Sequence, residues 1–139
     1  MPDTAFFNRN QPTAGLTEKA TTSRIVRNTA LANRVKEIHD FRCQVCGTRL
    51  ASRRRPYAEA AHIQGLGNPH QGPDELHNLL CLCPNHHVLF DGLEIHVNAE
   101  GVVRETHGNG DLGPLRRHRD HPVDEAYLRY HRNLCGLNH

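Results

Sequence analysis

Two short knuckles constrain this chain more than anything else in it: Cys43-Gln-Val-Cys46-Gly47 and, after a long gap, Cys83-Pro-Asn-His86. Each presents two soft or borderline donors from one tight turn, and two such turns supply the four ligands of a tetrahedral structural zinc site. The expected zinc ligands are therefore Cys43, Cys46, Cys83 and His86. Cys81 shares a strand face with Cys83 and is the alternative donor; Cys83 is preferred because it forms the x-x pair with His86. A redox Cys-x-x-Cys belongs ahead of a helix in a strand-helix-strand setting, which is missing around Cys43.

Composition makes a metal staple useful. Hydrophobic residues are 37% of the chain, Trp is absent and aromatics are 5%, so apolar packing alone leaves a thin core at this length. A zinc site can add on the order of 10 kcal/mol to folding. Five cysteines, an odd number, and no N-terminal apolar segment argue against a secreted disulfide scaffold. No run approaches the roughly 18 apolar residues of a membrane span. The expectation is a soluble, cytoplasmic protein with reduced thiols. Net charge is only +2, but fifteen of the seventeen basic residues are arginine, whose planar fork suits phosphate.

Along the chain, residues 1–22 read as a flexible lead or linker and 23–139 as one domain. With Ser23 as N-cap, Ile25, Leu31, Ala32, Val35 and Ile38 recur at near-helical spacing through His39, decorated by Arg24, Arg27 and Arg34. After the first knuckle comes a basic loop, Arg53, Arg54 and Arg55, and then "YAEAAHI" (57–63) as a strand. Tyr57, Glu59, Ala61 and Ile63 take one face, and Ala58, Ala60 and His62 the other. A Gly/Pro-rich loop leads to an apolar strand over 79–82. "PNHHVLFD" is a short helix, with Pro84 in its first turn and Gly92 at its stop. "LEIHV", a turn at "NAEG" and "VVRE" make a hairpin. Residues 107–122 read as irregular, and "VDEAYLRYHRNL" as a closing helix.

His86 and His87 are adjacent on the short helix, where neighbours point about 100° apart. They cannot easily share one ion, so His87 must face something else. The order "EAAHI" with His62, "HNLLCLC" with Asn78 and "CPNHH" with His87 resembles the HNH, or ββα-metal, nuclease family over roughly residues 42–92. In its zinc-bearing members the last motif commonly looks like "NLxLLCxxCH", and this chain is similar, with His86 in place of the second Cys. "CQVCG", "YAEAAHI", "GPD", "LCLCPNHHVLFD" and "YLRYHR" further resemble the nuclease domain joined to SRA/YDG modified-base readers in modification-dependent restriction enzymes.

The resemblance implies an α+β fold with a ββα-metal core, a structural zinc knuckle and flanking helices. It implies a DNA endonuclease of a restriction or defence system. His62 is then the general base, Asn78 the residue that ties the loop to the His62 strand, and His87 a ligand of a catalytic divalent cation, Mg²⁺, Mn²⁺ or Ni²⁺. Family members usually carry Asp or His just before the base, as a second metal ligand, where this chain has Ala61. Glu59 or Asp91 can supply the missing donor. Arg53, Arg54 and Arg55, the basic helix, and Arg116, Arg117 and Arg119 are expected on DNA phosphates. A modified-base reader, fused or separate, is an expected partner, and a homodimer would supply the two sites that two strand cuts need. The alternatives are a noncatalytic zinc DNA-binding module, or a nuclease toxin with an inhibitor partner.

Overall fold

The structure is a computed structural model that describes residues 28–137. The flexible lead over 1–22 and the helix start at Ser23, with Arg24, Ile25 and Arg27, lie outside the described residues. Helix α1 (Thr29–Ile38) is capped by Asn28, whose Oδ1 accepts from the Ala30 and Leu31 N–H groups at 3.0 and 3.2 Å. Two of the helix's orphan donors are thereby satisfied. Strands β1 (Leu50–Ala51) and β2 (Pro56–Tyr57) form a small ribbon behind the arginine turn. Strand β3 (Glu59–His62) pairs antiparallel with β4 (Leu79–Leu82), Glu59 opposite Leu82 and His62 opposite Leu79. Helix α2 (Pro84–Asp91) follows with Pro84 at its first position. A sheet of β5 (Ile95–Val97), β6 (Val102–Glu105) and β7 (Asp111–Pro114) precedes helix α3 (Glu125–Leu134), capped by Asp124.

Two expectations are corrected. The strand expected over 57–63 is divided, because Tyr57 pairs with Leu50 in the β1–β2 ribbon and Ala58 falls between the two ladders. The segment 107–122 is not irregular throughout, since β7 pairs with β6. "DLGP" has no alternating apolar pattern, so its pairing rests on backbone hydrogen bonds. Gly113 at φ 91° and a register shift between Val103 and Arg104 let it follow β6.

The β3–β4 pair carries the molecule's division of labour. Ala61, Leu80 and Leu82 join Phe90 of α2, Ile95, Val97 and Val103 of the larger sheet, and Leu128 of α3 in one buried cluster. Full burial of a side chain such as Phe90 is worth about 1.5–3 kcal/mol. Leu79, Cys81 and Ala58 are buried outside that cluster, and α1 packs over β3 and β4 through Val35. Where α1 meets β3 the facing residues are Ala32, Ala58 and Ala60, too small to fill the gap, and a cleft remains.

Helix α3 braces the rest. The buried Arg132 donates to the Val97 carbonyl at 3.0 Å and to Glu125 at 2.7 Å. His131 Nε2–H donates to the Phe90 carbonyl at 2.9 Å, its ring stacked on Phe90 at 3.7 Å. Tyr127 donates to Glu75 at 2.7 Å and Tyr130 lies 2.6 Å from His70 Nδ1, which ties the loop between β3 and β4 to this helix.

Candidate active site and metal centre

The two knuckles meet. Cys43, Cys46, Cys83 and His86 offer donor atoms that all lie within 4.8 Å of one another. Cys46 Sγ is 3.9 Å from Cys83 Sγ, and His86 Nδ1 is 3.3 Å from Cys83 Sγ and 3.7 Å from Cys43 Sγ. A tetrahedral ion at zinc's bond lengths has edges of about 3.8 Å between sulfurs and about 3.6 Å from sulfur to nitrogen. The donor set therefore fits one structural metal ion, and Cys81, though fully buried, stays outside it. Burial pushes the Cys43 thiol up to about 11, so a cation is what makes a thiolate tenable there.

Local sequence explains how the knuckle is seated. Gln44, itself buried, accepts from Cys81 N–H through Oε1 and donates to the Arg116 carbonyl through Nε2, both at 2.8 Å, while its own N–H donates to the Cys81 carbonyl. Arg116 returns a guanidinium N–H to the Val45 carbonyl. Gly47 sits at φ 77°, and a Cβ there would lie 3.0 Å from Arg116 Nε, so both conformation and close approach require glycine. Arg116, expected on DNA, is thus a brace for the knuckle.

Where α1 crosses the β3–β4 pair lies a cleft of about 350 Å³, with Lys36 of α1, Tyr57, Glu59 and His62, Asp74 of the loop and His87 of α2 on its walls. His62 ends β3 and its Nε2 is 2.8 Å from Asp74 Oδ1. The other Asp74 oxygen accepts from the Asn28 N–H at 2.7 Å. A carboxylate at Nε2 selects the tautomer whose acceptor nitrogen is Nδ1. Asn78, fully buried, donates through Nδ2 to the Gln64 and Pro73 carbonyls and accepts from the Gln64 N–H, all at 2.8–2.9 Å. It clamps the end of β3 to the segment that carries Asp74. Gly72 completes the clamp, since a Cβ there would fall 2.1 Å from the Gln64 carbonyl oxygen.

His87 is held from both sides. Its Nδ1 is 2.6 Å from Glu59 Oε1 and its Nε2 is 3.1 Å from Asp91 Oδ2. Burial alone lowers its pKa, but the hydrogen bonds and charges of Asp91 and Glu59 win and lift it to about 9. Adjacent ligands of an octahedral cation with bonds of about 2.1 Å lie about 3.0 Å apart. The Nε2–Asp91 separation matches such an edge, whereas the shorter Nδ1–Glu59 separation is that of a charge-assisted hydrogen bond. The two carboxylates address opposite nitrogens, so they do not serve one ion together with His87.

Residue spacing does not reveal the role of Asp74. Its signal in the chain is an acid directly after Gly72-Pro73, but nothing local connects it to His62, twelve residues away. Lys36 was hidden too, as one charge on a helix face. Arg53, Arg54 and Arg55 lie exposed on the β1–β2 turn, which is closed by the Ser52 N–H donating to the Arg55 carbonyl and the Arg55 N–H donating to Ser52 Oγ, both at 3.0 Å.

Residues 43–98 match the family model described as HNH endonuclease. Among solved structures the chain is similar to the "Modification dependent TagI restriction endonuclease", at 41% identity and a TM-score of 0.76 over 78% of this chain. The matched region is 38% of that protein's length. No curated protein matches the chain. No helix among the described residues is long and apolar enough to cross a membrane.

Proposed function

Because the chain carries an HNH endonuclease domain over residues 43–98, we propose that it is a metal-dependent DNA endonuclease, the cutting module of a modification-dependent restriction system. What carries this reading is one cleft with two carboxylate-held imidazoles, His62 with Asp74 and His87 with Glu59 and Asp91. We assign zinc to the Cys43, Cys46, Cys83 and His86 set, whose donors suit it.

In hydrolysis, His62 Nδ1 takes a proton from water as the water oxygen bonds to phosphorus. One phosphorus–oxygen ester bond breaks, and the leaving oxygen takes a proton from solvent. Asp74 holds the ring in the base-competent tautomer and stabilises the imidazolium that forms. Asn78 keeps β3 and the Asp74 segment in register, so the base cannot swing away. His87 Nε2 and Asp91 would hold a divalent cation, Mg²⁺, Mn²⁺ or Ni²⁺, and such an ion would supply Lewis-acid stabilisation of charge on the phosphate and the leaving oxygen. Glu59 accepts the Nδ1–H of His87 and orients the ring. Arg53, Arg54 and Arg55 contact backbone phosphates, which position DNA without reading it. Cutting both strands calls for two copies of the site, and selecting modified DNA calls for a reader domain beside this one.

Supercoiled plasmid incubated with each of the three ions tests the reading, with His62→Ala alongside and zinc content measured in both. Nicking by the parent and its loss in a folded, zinc-loaded His62→Ala are expected. No nicking with any ion while gel-shift binding persists would favour the noncatalytic DNA-binding module.

A further inference from the structure

Helix α1 lies before the matched family segment, yet it forms a wall of the cleft. Its residues Asn28, Ala32 and Lys36 recur every fourth position and line that wall over about 12 Å. At one end Asn28 holds Asp74, and with it His62. At the other, Lys36 is close enough for its charge to add to the His87 hydrogen bond in holding the Glu59 carboxyl down.

A phosphodiester entering here meets two carboxylates, Glu59 and Asp74, on the walls. Lys36 is the one Lys or Arg among the described residues lining the cleft, and it is half-buried. In a chain with fifteen arginines and two lysines, this position holds the compact ammonium rather than the wider guanidinium. Beyond Lys36 and Tyr57 the cleft adjoins a second groove of about 270 Å³, where Asn33, Glu37, Phe41 and Arg55 join them. Lys36 therefore stands at the junction of the reaction cleft and a groove leading to the arginine turn.

We propose that Lys36 is a catalytic residue whose ammonium binds a non-bridging oxygen of the scissile phosphate, and that the cut strand leaves through the Lys36–Arg55 groove. This rests on the nuclease reading and names a substrate contact that it lacks. Charge gathers on the non-bridging oxygens as the water oxygen bonds to phosphorus, and a fixed ammonium in a partly desolvated cleft stabilises it. Lys36 itself neither gains nor loses a proton in the step.

The test compares the parent chain with Lys36→Met, Lys36→Arg and Arg55→Ala on two substrates, supercoiled plasmid and bis(p-nitrophenyl) phosphate, which has no flanking strand. Melting temperature and zinc content are measured in each, and Lys36→Gln replaces Lys36→Met if that variant does not fold. Lys36→Met is expected to lower kcat on both substrates about 10²-fold, with partial recovery in Lys36→Arg. Arg55→Ala is expected to raise KM for plasmid about 3- to 10-fold, a larger rise than for the small ester. Turnover of the small ester at the parent's rate by Lys36→Met overturns the scissile-phosphate contact, and an unchanged plasmid KM in Arg55→Ala overturns the strand path. A parent inactive on both substrates with every ion overturns the nuclease reading and this inference with it.

Discussion

Asp74 is bound by its neighbours on both sides, His62 Nε2 at 2.8 Å and the Asn28 N–H at 2.7 Å, and its value is in what it does to the imidazole. Replacement by Asn keeps an acceptor but removes the charge that steadies a forming imidazolium. Asp74→Asn should lower kcat about 10- to 100-fold with little change in plasmid binding; single-turnover cleavage beside a gel shift measures both. A loss of binding equal to the loss of rate would make Asp74 a structural residue only. Around His87 the prediction concerns sides. Asp91→Ala should raise the Mn²⁺ concentration needed for half-maximal cleavage about 10-fold or more. Glu59→Gln, which still offers an oxygen to Nδ1–H, should raise it less. The reverse order in a metal titration would put the cation on the Glu59 side.

Among the elements, α1 meets the segment before α3 through a histidine pair. His39 Nε2 is 2.7 Å from His121 Nδ1, and His121 Nε2–H donates to the Leu76 carbonyl at 3.0 Å, just before Asn78. The chain of donors needs His121 neutral, with its Nδ1 accepting the His39 Nε2–H. Burial, with His121 and His118 adding like charge, lowers the His39 pKa to about 4; burial lowers that of His121 as well, with His77 and Arg117 contributing. An unfolded His39 takes a proton below about pH 6.5 while the folded one does not until about pH 4, so stability falls as pH drops through that window. The loss from His39 is roughly 2 kcal/mol once its partial exposure is allowed for. Melting curves of the parent and His39→Gln from pH 7.5 to 4.5 measure it: the variant should show the smaller decline, and parallel curves would dismiss the histidine pair as the cause. None of this was visible in the helix pattern, where His39 is simply the last residue, because its partner lies 82 positions away. The short helix after Cys83 was legible for a local reason, with Pro84 opening it and Gly92 ending it. Strand β7 was not, because its pairing depends on a neighbour and not on its own side chains.

For the whole molecule, the metal cluster joins the first knuckle to the junction of β4 and α2, and both the core and the cleft lie on that β-pair. Removing the ion should cost on the order of 10 kcal/mol, comparable to the entire net stability of a typical domain, about 5–15 kcal/mol. A chelator such as 1,10-phenanthroline should therefore abolish the cooperative melt and the activity together, and zinc added back should restore both. A chelated protein that keeps its melting temperature would refute the staple. Residue spacing by itself determined the four donors and the split between His86 and His87, because ligand pairs three apart and neighbours on a helix obey local geometry. What only the tertiary structure decided was the company that distant segments bring to each imidazole: Asp74 at His62, Glu59 at His87, Lys36 across the cleft. Those meetings depend on how α1, the long loop and α2 pack around two short strands, and packing between distant segments leaves no period in the chain for a reader to find.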